Sequence, residues 1–276
     1  MIAQLQCGRF RLSLERPLIM GVVNITPDSF SDGGRFLDPA RAIAHGRKLI
    51  EEGADLIDLG AESSRPGAAA VVSADEELRR LLPVLRGLRD VPLSVDTVKP
   101  EVMSAALAEG AAMINDINAL RAPGALAAVA ASDAAVCLMH MQGSPGTMQQ
   151  DPSYADVVAE VKAFLQERID SVCAAGIALE RVVVDPGFGF GKTLEHNLEL
   201  LRHLREFAAL GAPVLAGWSR KSSLGKITGK PAADRLAASI AVALIAAQNG
   251  AEILRVHDVA ATRDALSVLA AVKKDR

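Results

Sequence analysis

Polar side chains recur along this chain, each at the end of a short apolar run. The run that begins at Met20 ends at Asn24 and opens into a segment of Thr, Pro, Asp, Ser and Gly, which are residue types that favour turns. Preorganised polar groups can bind a polar ligand and stabilise charge that develops during a reaction. Seven further runs end in, or lead into, such groups: Asp58 and Glu62, Asp96, Asn115 and Asp116, His140, Asp185, Ser219 to Ser222, and Arg255 and His257.

Three of these side chains, Asp96, Asn115 and Asp185, together offer carboxylate and amide atoms. A flat heterocycle with an amino-pyrimidinone edge is a fitting ligand, because one carboxylate can accept two N–H bonds side by side. Lys221 follows the seventh run and is suited to contact either the ring or a phosphate group. The pattern therefore predicts a site for a polar heterocycle.

A second group of side chains favours an anionic ligand. Arg255 and His257 alternate along one predicted strand, so both lie on the same face of it. With Arg65 they are suited to bind a diphosphate, since guanidinium groups match the geometry of phosphate oxygens. Two alternatives stay open: a salt bridge inside the protein for Arg255, and a core histidine bonded to the backbone for His257.

The sequence partly resembles two known ligand-binding motifs but matches neither. Residues 187–193 read Gly-Phe-Gly-Phe-Gly-Lys-Thr, whereas a P-loop needs four residues between its glycines, so we interpret this segment as a flexible loop. The Asp and His residues lack the spacing of a zinc site, but a hard cation such as Mg²⁺, held by one or two protein oxygens and substrate phosphate, fits them. His140 has no obvious acid–base partner. The histidines expected on solvated helices are His45, His196 and His203.

The segments that must position these groups alternate between strand and helix. Helical stretches end in Gly before an apolar strand at Gly53, Gly110 and Gly250, because Gly readily takes the left-handed conformation past a helix end. Strands are predicted near 18–24, 55–60, 92–96, 112–117, 135–140, 181–185, 213–218 and 252–257. Helices are predicted near 39–52, 75–89, 100–109, 123–131, 153–175, 194–209, 231–249 and 259–272.

Eight such units predict an α/β fold, a closed (β/α)8 or TIM barrel, whose polar strand ends form one cup that holds the active site. The rival is an open doubly wound sheet, which usually has a G-x-G-x-x-G turn after its first strand, and the first turn here has none. Residues 1–17 form a polar prelude, in which a short hairpin near 6–15 is expected to close one end. No linker divides residues 1–276, so we predict a single domain.

Composition limits the partners and the location of the protein. The formal net charge of −3 provides no extended positive field for nucleic acid or an acidic membrane surface. The longest apolar run, near 236–247, is shorter than the roughly 20 residues of a membrane span. Cys7, Cys137 and Cys173 show no CxxC spacing and are expected to be reduced thiols. The start of the chain lacks a basic segment followed by an apolar one, so a cytoplasmic location is expected.

Taken in order, these motifs resemble the dihydropteroate synthase family of folate biosynthesis. The resemblance runs from about Leu18 to Leu269, which is nearly the whole chain. The segments that carry it are Gly21 to Gly34, Asp58 to Gly67, Ser94 to Thr97, Asn115 to Ile117, Met139 to Gly143, Asp185 to Lys192, Gly217 to Ser222 and Arg255 to Asp258.

The resemblance implies a reaction between 6-hydroxymethyl-7,8-dihydropterin diphosphate and 4-aminobenzoate, which gives 7,8-dihydropteroate and diphosphate. It implies an SN1-like displacement, in which diphosphate leaves before the arylamine attacks a cation delocalised over the pterin. Asn24 would hold Mg²⁺ on the diphosphate, and Asp32 would stabilise the cation and orient the amine. The catalytic residues implied in this way are Asp32, Lys221, Arg255 and His257.

The resemblance also implies which residues bind each part of the substrates. Those implied for the pterin are Asp96, Asn115, Asp185 and Lys221, with Met139 and Phe190 packed nearby. Those implied for the diphosphate are Ser64, Arg65, Arg255 and His257. Those implied for the aminobenzoate pocket are Phe30, Pro66, Lys221 and Ser222.

The family is usually a homodimer, and the resemblance implies that the Ala-rich helix near 231–249 can supply its interface. The chain departs from the family pattern at Ser64, where Thr is common, and at Gly146, where Arg is common. The second change predicts a more mobile loop around Gly146. Neither change touches a group that binds the pterin, so activity is expected.

Two other functions fit part of the pattern. A methyltransferase acting on methyltetrahydrofolate would share the pterin pocket but would have no use for Arg65 and Arg255. A pterin-binding paralogue without synthase activity is expected to lack Asp32, Lys221 or Arg255, and all three are present.

Overall fold

The computed structural model describes residues 2–26, 38–62 and 72–273. Among the helices of these ranges, none combines the length and the apolar character needed to cross a membrane. Five predicted site residues lie outside the described residues, and they are Phe30, Asp32, Ser64, Arg65 and Pro66.

Strand and helix alternate through the described ranges. The strands are β1 (Gln4–Cys7), β2 (Phe10–Ser13), β3 (Leu18–Asn24), β4 (Leu56–Gly60), β5 (Leu93–Asp96), β6 (Met113–Asp116), β7 (Ala135–Met139), β8 (Val182–Asp185), β9 (Leu215–Ala216) and β10 (Ile253–Val256). The α-helices are α1 (Pro39–Glu51), α2 (Ala74–Gly87), α3 (Pro100–Ala108), α4 (Ala125–Ala130), α5 (Val157–Ala174), α6 (Leu194–Arg202), α7 (Ser222–Thr228), α8 (Leu236–Gln248) and α9 (Val259–Lys273). Short 3₁₀ segments occupy Leu179–Arg181, Leu204–Leu210 and Ala232–Asp234.

Strands β3 to β10 form a parallel sheet that is nearly closed. Their spatial order is β8-β7-β6-β5-β4-β3-β10-β9. A parallel bridge between Val184 and Val214 brings β8 beside the segment that leads into β9. The predicted (β/α)8 barrel is therefore confirmed, because the two outer strands of this order meet, as they do not in an open doubly wound sheet.

Capping side chains and glycines mark the helix boundaries. The Asp38 carboxylate accepts a hydrogen bond from the Ala40 N–H, and the Ser73 hydroxyl accepts one from the Glu76 N–H. Each bond satisfies a donor that the first helical turn leaves free. Gly53 follows the end of α1 with φ +100°, a conformation that glycine adopts far more readily than other residues.

Three helices differ in detail from the prediction. Helix α5 begins at Val157 rather than near 153, because the Asp156 side chain caps it there. Helix α6 ends at Arg202, and the chain continues as a 3₁₀ segment. Helix α8 begins at Leu236, and the short α7 precedes it without having been predicted, because its seven residues are too few to show a helical period.

The amino-terminal hairpin closes the lower end of the barrel, by which we mean the end where the parallel strands begin. Leu5 and Cys7 of β1 are fully buried there and belong to one cluster with Met20, Met113 and Ile253. The predicted hairpin is confirmed. A larger and separate apolar core fills the space between the strands and the helices. The carboxyl ends of the strands form the opposite, upper end.

Candidate functional site

Strand register places three predicted site residues in one row at the upper end. Asn24 pairs with Gly60, Gly60 with Asp96, and Asp96 with Asn115. A Cβ atom at Gly60 would lie 3.8 Å from the Asp96 Oδ2 and 3.9 Å from the Asn24 Oδ1. The glycine therefore leaves space between two oxygen atoms that both belong to predicted ligand-binding residues.

An ion-pair network connects this row with the last strand. Arg255 donates from Nε to the Asp58 Oδ2 over 2.7 Å and from Nη2 to the Asp96 Oδ2 over 3.0 Å. The Asn115 Nδ2 donates to the same Asp58 oxygen over 3.2 Å. Asp58 is fully buried, whereas Asp96 and Arg255 keep part of their side chains exposed. The sequence allowed an internal salt bridge as an alternative role for Arg255. This salt bridge exists, and it lies inside the predicted site.

Burial and neighbouring charges shift the protonation of this network. Burial disfavours the charged form of Arg255, but the carboxylates of Asp58 and Asp96 outweigh that effect and raise the pKa of Arg255. Burial raises the pKa of Asp96 from 3.8 to about 7; the Arg255 charge opposes this shift and the Asp58 carboxylate adds to it. Asp96 can therefore exchange a proton near neutral pH, whereas Arg255 stays charged.

A second charged pair consists of Asp185 and Lys221. Asp185 is buried, and its Oδ1 accepts a hydrogen bond of 2.7 Å from the Gly187 N–H. The Lys221 Nζ donates to the Phe188 carbonyl oxygen and lies 4.6 Å from the centre of the Phe190 ring. Burial lowers the pKa of Lys221 to about 8 against the attraction of Asp185, and burial raises the pKa of Asp185 against the attraction of Lys221. Each group thus offsets part of the cost of burying the other.

Close backbone contacts shape the glycine-rich loop at 187–192. Gly187 has φ +72°, and a Cβ atom there would lie 1.9 Å from the His140 carbonyl oxygen. Gly191 has φ +61°, and its Cβ atom would lie 2.5 Å from the Gln142 carbonyl oxygen. Only glycine fits at either position without moving the backbone. The segment is a loop, as predicted, and it is held against the chain that follows β7.

Lys192 and His140 form a buried pair that the sequence analysis missed. The Lys192 Nζ lies 2.9 Å from the His140 Nδ1 and donates to the Phe190 carbonyl oxygen over 3.0 Å. Burial, followed by repulsion from Lys192, lowers the pKa of His140 to about 2, so the ring is neutral and Nδ1 accepts. The expectation that His140 has no acid–base partner is wrong. The signal was the lysine that ends the glycine-rich segment, because a buried ammonium group needs several acceptors.

His257 and Ser222 are two further predicted site residues at the upper end. The His257 Nδ1 lies 3.1 Å from the Ser219 Oγ, and the His257 backbone N–H donates to the same oxygen over 3.3 Å. The half-buried ring of His257 therefore contacts a hydroxyl at the upper end and not the apolar core, which was the alternative. Ser222 is exposed and begins α7 directly after Lys221.

Apolar side chains cover another part of the upper end. Met139 ends β7 and forms a small cluster with Ile117, Met141 and Met148, and Phe190 packs against this cluster. Flexible, polarisable thioethers make favourable contacts with flat rings. Met139 and Phe190, two of the predicted binding residues, thus belong to the same apolar surface.

Two polar residues at strand ends have local structural roles. Asp116 is fully buried, and its two oxygens accept hydrogen bonds from the N–H groups of Asn118 and Leu120. Glu62 forms an ion pair with Lys99. Neither carboxylate joins the network around Arg255, so the polar cup is narrower than the sequence pattern suggests.

The barrel and its upper end together define a pterin-binding enzyme. Carboxylates and an amide suited to the pterin edge stand beside a guanidinium group suited to an anion, and Met139 and Phe190 belong to the apolar surface nearby. The model of the family described as pterin binding enzyme matches residues 20–257.

Known proteins of similar sequence and structure show which family of pterin-binding enzymes the chain belongs to. The dihydropteroate synthase of Neisseria meningitidis serogroup B is 51% identical over 272 residues, which cover 95% of each chain. The structure of Xanthomonas albilineans dihydropteroate synthase with 4-aminobenzoic acid matches with a TM-score of 0.93 and 55% identity over 99% of each chain. The same enzyme in complex with 7,8-dihydropteroate matches with a TM-score of 0.90 and 53% identity over 98% of this chain and 99% of that one. The chain belongs to the dihydropteroate synthase family.

Proposed function

We propose that the chain condenses 6-hydroxymethyl-7,8-dihydropterin diphosphate with 4-aminobenzoate by means of the charged groups at the upper end. The observation that carries this proposal is the shared network of Arg255, Asp58, Asp96 and Asn115. It joins groups suited to the pterin edge directly to a group suited to the diphosphate. A substrate that contains both parts is the ligand that such a network fits best.

The pterin edge is bound by Asp96, Asn115 and Asp185 in this proposal. A carboxylate accepts adjacent N–H groups of the ring, and an amide both donates and accepts. Lys221 contacts the ring or the phosphate, since its ammonium group lies close to the Phe188 carbonyl and the Phe190 ring.

Charge separation is the main chemical difficulty of the reaction. The bond between the pterin methylene and the diphosphate breaks first, and both electrons leave with the diphosphate. Arg255 and His257 stabilise the departing anion, while Asp96 and Asp185 stabilise the cation that remains on the ring. The amine of 4-aminobenzoate then attacks the methylene carbon and loses a proton. Ser222 helps to shape the aminobenzoate pocket, and the parts assigned to Phe30, Asp32, Ser64, Arg65 and Pro66 stay predictions.

Mg²⁺ is the proposed cofactor, with Asn24 as its protein ligand. The Asn24 Oδ1 and the Asp96 Oδ2 face the same space above Gly60, and hard cations prefer oxygen ligands of this kind. No cluster of three or more His, Cys, Asp or Glu residues suited to a metal occurs in the described ranges. We propose that the cation is bound mainly through substrate phosphate and water. When bound, Mg²⁺ would neutralise charge on the diphosphate.

The helices near the carboxyl terminus are the proposed homodimer interface. Leu236 and Ile245 of α8 and Val268 and Val272 of α9 are large apolar residues that remain exposed, and exposed apolar surface often marks association sites. Sedimentation of the wild-type protein as a dimer, and of Ile245→Glu as a monomer, would support this interface. A wild-type protein that sediments as a monomer would contradict it. We also propose that the enzyme is a single domain and is located in the cytoplasm.

One assay tests the proposed function directly. The purified protein is incubated with the pterin diphosphate, 4-aminobenzoate and Mg²⁺, and the expected products are dihydropteroate and diphosphate in equal amounts. Omission of 4-aminobenzoate should abolish dihydropteroate. A protein that binds free pterin in calorimetry but yields no dihydropteroate would be a non-catalytic paralogue, and the proposal would be wrong.

A further inference from the structure

Asp58 lies at the centre of the charged network but has no assigned role. Its Oδ2 receives one hydrogen bond from the Arg255 Nε on β10 and another from the Asn115 Nδ2 on β6. The side chain is fully buried. A group that is sealed from solvent by the folded barrel is poorly placed to contact a substrate, but it touches two residues proposed to do so.

We propose that Asp58 is a positioning residue, which holds the Arg255 guanidinium and the Asn115 amide in the orientations that bind the diphosphate and the pterin. This inference rests on the function proposed above. The guanidinium has a rigid fork of five N–H donors. The Asp58 Oδ2 accepts from Nε and also lies 2.7 Å from Nη2, and the Asp96 Oδ2 accepts from Nη2. Nη1 has no hydrogen bond within the described ranges. The two carboxylates thus fix the plane of the guanidinium group and leave Nη1 available for an anion.

The energetics of Asp58 favour a functional over a stabilising role. Its second oxygen, Oδ1, is buried and has no hydrogen-bond partner within residues 2–26, 38–62 and 72–273. An unsatisfied buried oxygen costs free energy, and buried ion pairs are often no better for stability than apolar residues of similar volume. A carboxylate at this position therefore contributes something other than stability.

Ser94 provides a matched control, because it pairs with Asp58 in the strand register and is equally buried. Its Oγ has no hydrogen-bond partner in the described part of the chain. We expect Asp58→Asn, which keeps size but removes charge, to lower kcat/KM for the pterin diphosphate about 10- to 100-fold. Ser94→Ala should change it less than about twofold and should keep the melting temperature of the wild type.

A double-mutant cycle separates positioning from two independent defects. Asp58→Asn and Arg255→Met are measured alone and together. If Asp58 acts through Arg255, the double variant loses much less kcat/KM than the product of the two single losses. Losses that simply multiply would overturn the proposal.

A spectroscopic measurement tests the inference without turnover. The Nε–H resonance of Arg255, assigned by its loss in Arg255→Lys, should exchange slowly with water and stand apart from those of exposed arginines. It should move towards them in Asp58→Asn and stay in place in Ser94→Ala. A wild-type resonance that matches exposed arginines would overturn the proposal, even if Asp58→Asn does not fold. Because this readout needs no product, a wild-type protein without synthase activity would overturn only the proposed function.

Discussion

The two ends of the barrel interior are built from the same strands and differ in nearly every property. At the lower end, Met113 and Ile253 pack with the hairpin residue Leu5 in an apolar cluster. Two residues further along the same strands, Asn115 and Arg255 bind the buried Asp58. Alternate residues of a strand face the same side, so a step of two residues leads from the core to the charged site.

This difference separates stability from chemistry along each strand. The lower end removes apolar surface from water, which stabilises the fold by about 25 cal/mol per Å². The upper end instead confines carboxylates and cations that repel or attract one another. Natural proteins commonly carry such unfavourable arrangements where activity requires them. Mutations at the lower end should therefore reduce stability and spare activity, and most mutations at the upper end should do the reverse.

The largest effect is expected at Arg255, an upper-end residue whose loss should reduce both stability and binding. Arg255→Ala should lower the free energy of unfolding by about 3–5 kcal/mol, because it leaves the buried Asp58 without its counter-charge. It should also weaken a diphosphate-bearing pterin far more than free pterin. Urea unfolding and calorimetry measure the two effects.

The control for this variant is Arg220→Ala, which removes a more exposed ion pair with Asp258 and should cost less than about 1 kcal/mol. Equal losses of affinity for the two pterin ligands would contradict the role of Arg255 in binding diphosphate.

A substitution at the lower end should affect stability alone. Leu5→Ala should lower the free energy of unfolding by about 3 kcal/mol, because it opens a cavity between the hairpin and the barrel. The kcat of the folded protein should not change, since Leu5 lies at the end remote from the site. Arg11→Ala, on the exposed side of the same hairpin, should cost less than about 0.5 kcal/mol. A large fall in kcat for fully folded Leu5→Ala would show that the two ends are coupled.

The reverse behaviour is expected for Asp185→Ala. Its affinity for free pterin should fall about 100-fold, which corresponds to the loss of charge-assisted hydrogen bonds. Its stability should fall less than that of Arg255→Ala, because the Lys221 left behind is only half-buried and keeps its hydrogen bond to the Phe188 carbonyl oxygen. Calorimetry with free pterin measures the affinity, and an unchanged value would remove Asp185 from the pterin site.

The smallest expected effect is that of a change of one pH unit. The folded protein keeps the Asp96 proton to about pH 7, while the unfolded chain loses it near 3.8. The folded state therefore binds more protons across this window, and the Asp96 contribution to stability falls as the pH rises from about 4 to 7, by at most about 1.4 kcal/mol per pH unit. Binding of pterin to the ionised carboxylate should improve over the same window.

Asp96→Asn tests both dependences. Its stability relative to the wild type should increase between about pH 5 and about pH 7, and its pterin affinity should lose the pH dependence of the wild type. A difference in unfolding free energy that stays constant with pH would show that Asp96 does not titrate in this range.

Much of the architecture follows from local sequence signals. Asp38 and Ser73 cap the helices that follow them, and Gly53 marks the end of α1, as predicted. These signals depend on neighbours only a few residues apart, so they can be read without knowing the fold. The long helices and the hairpin follow in the same way, whereas α7 is too short to show a period.

The chemical groups of the site could also be named from the chain, because each follows an apolar strand. Asp96, Asn115 and Arg255 were predicted on that basis. Their partners could not be predicted. The sequence pattern indicated neither that Asp58 would receive both Arg255 and Asn115, nor that Lys192 would contact His140.

The order of the elements and the groups available at the upper end thus follow from the chain alone. Which of these groups pair depends on the tertiary structure. Arg255 and Asp58 are 197 positions apart in the chain, and they meet because the barrel closes with β10 beside β3 and β3 beside β4. Register and closure are properties of the whole sheet, whose strands must bury their apolar faces together, and no local segment contains that information.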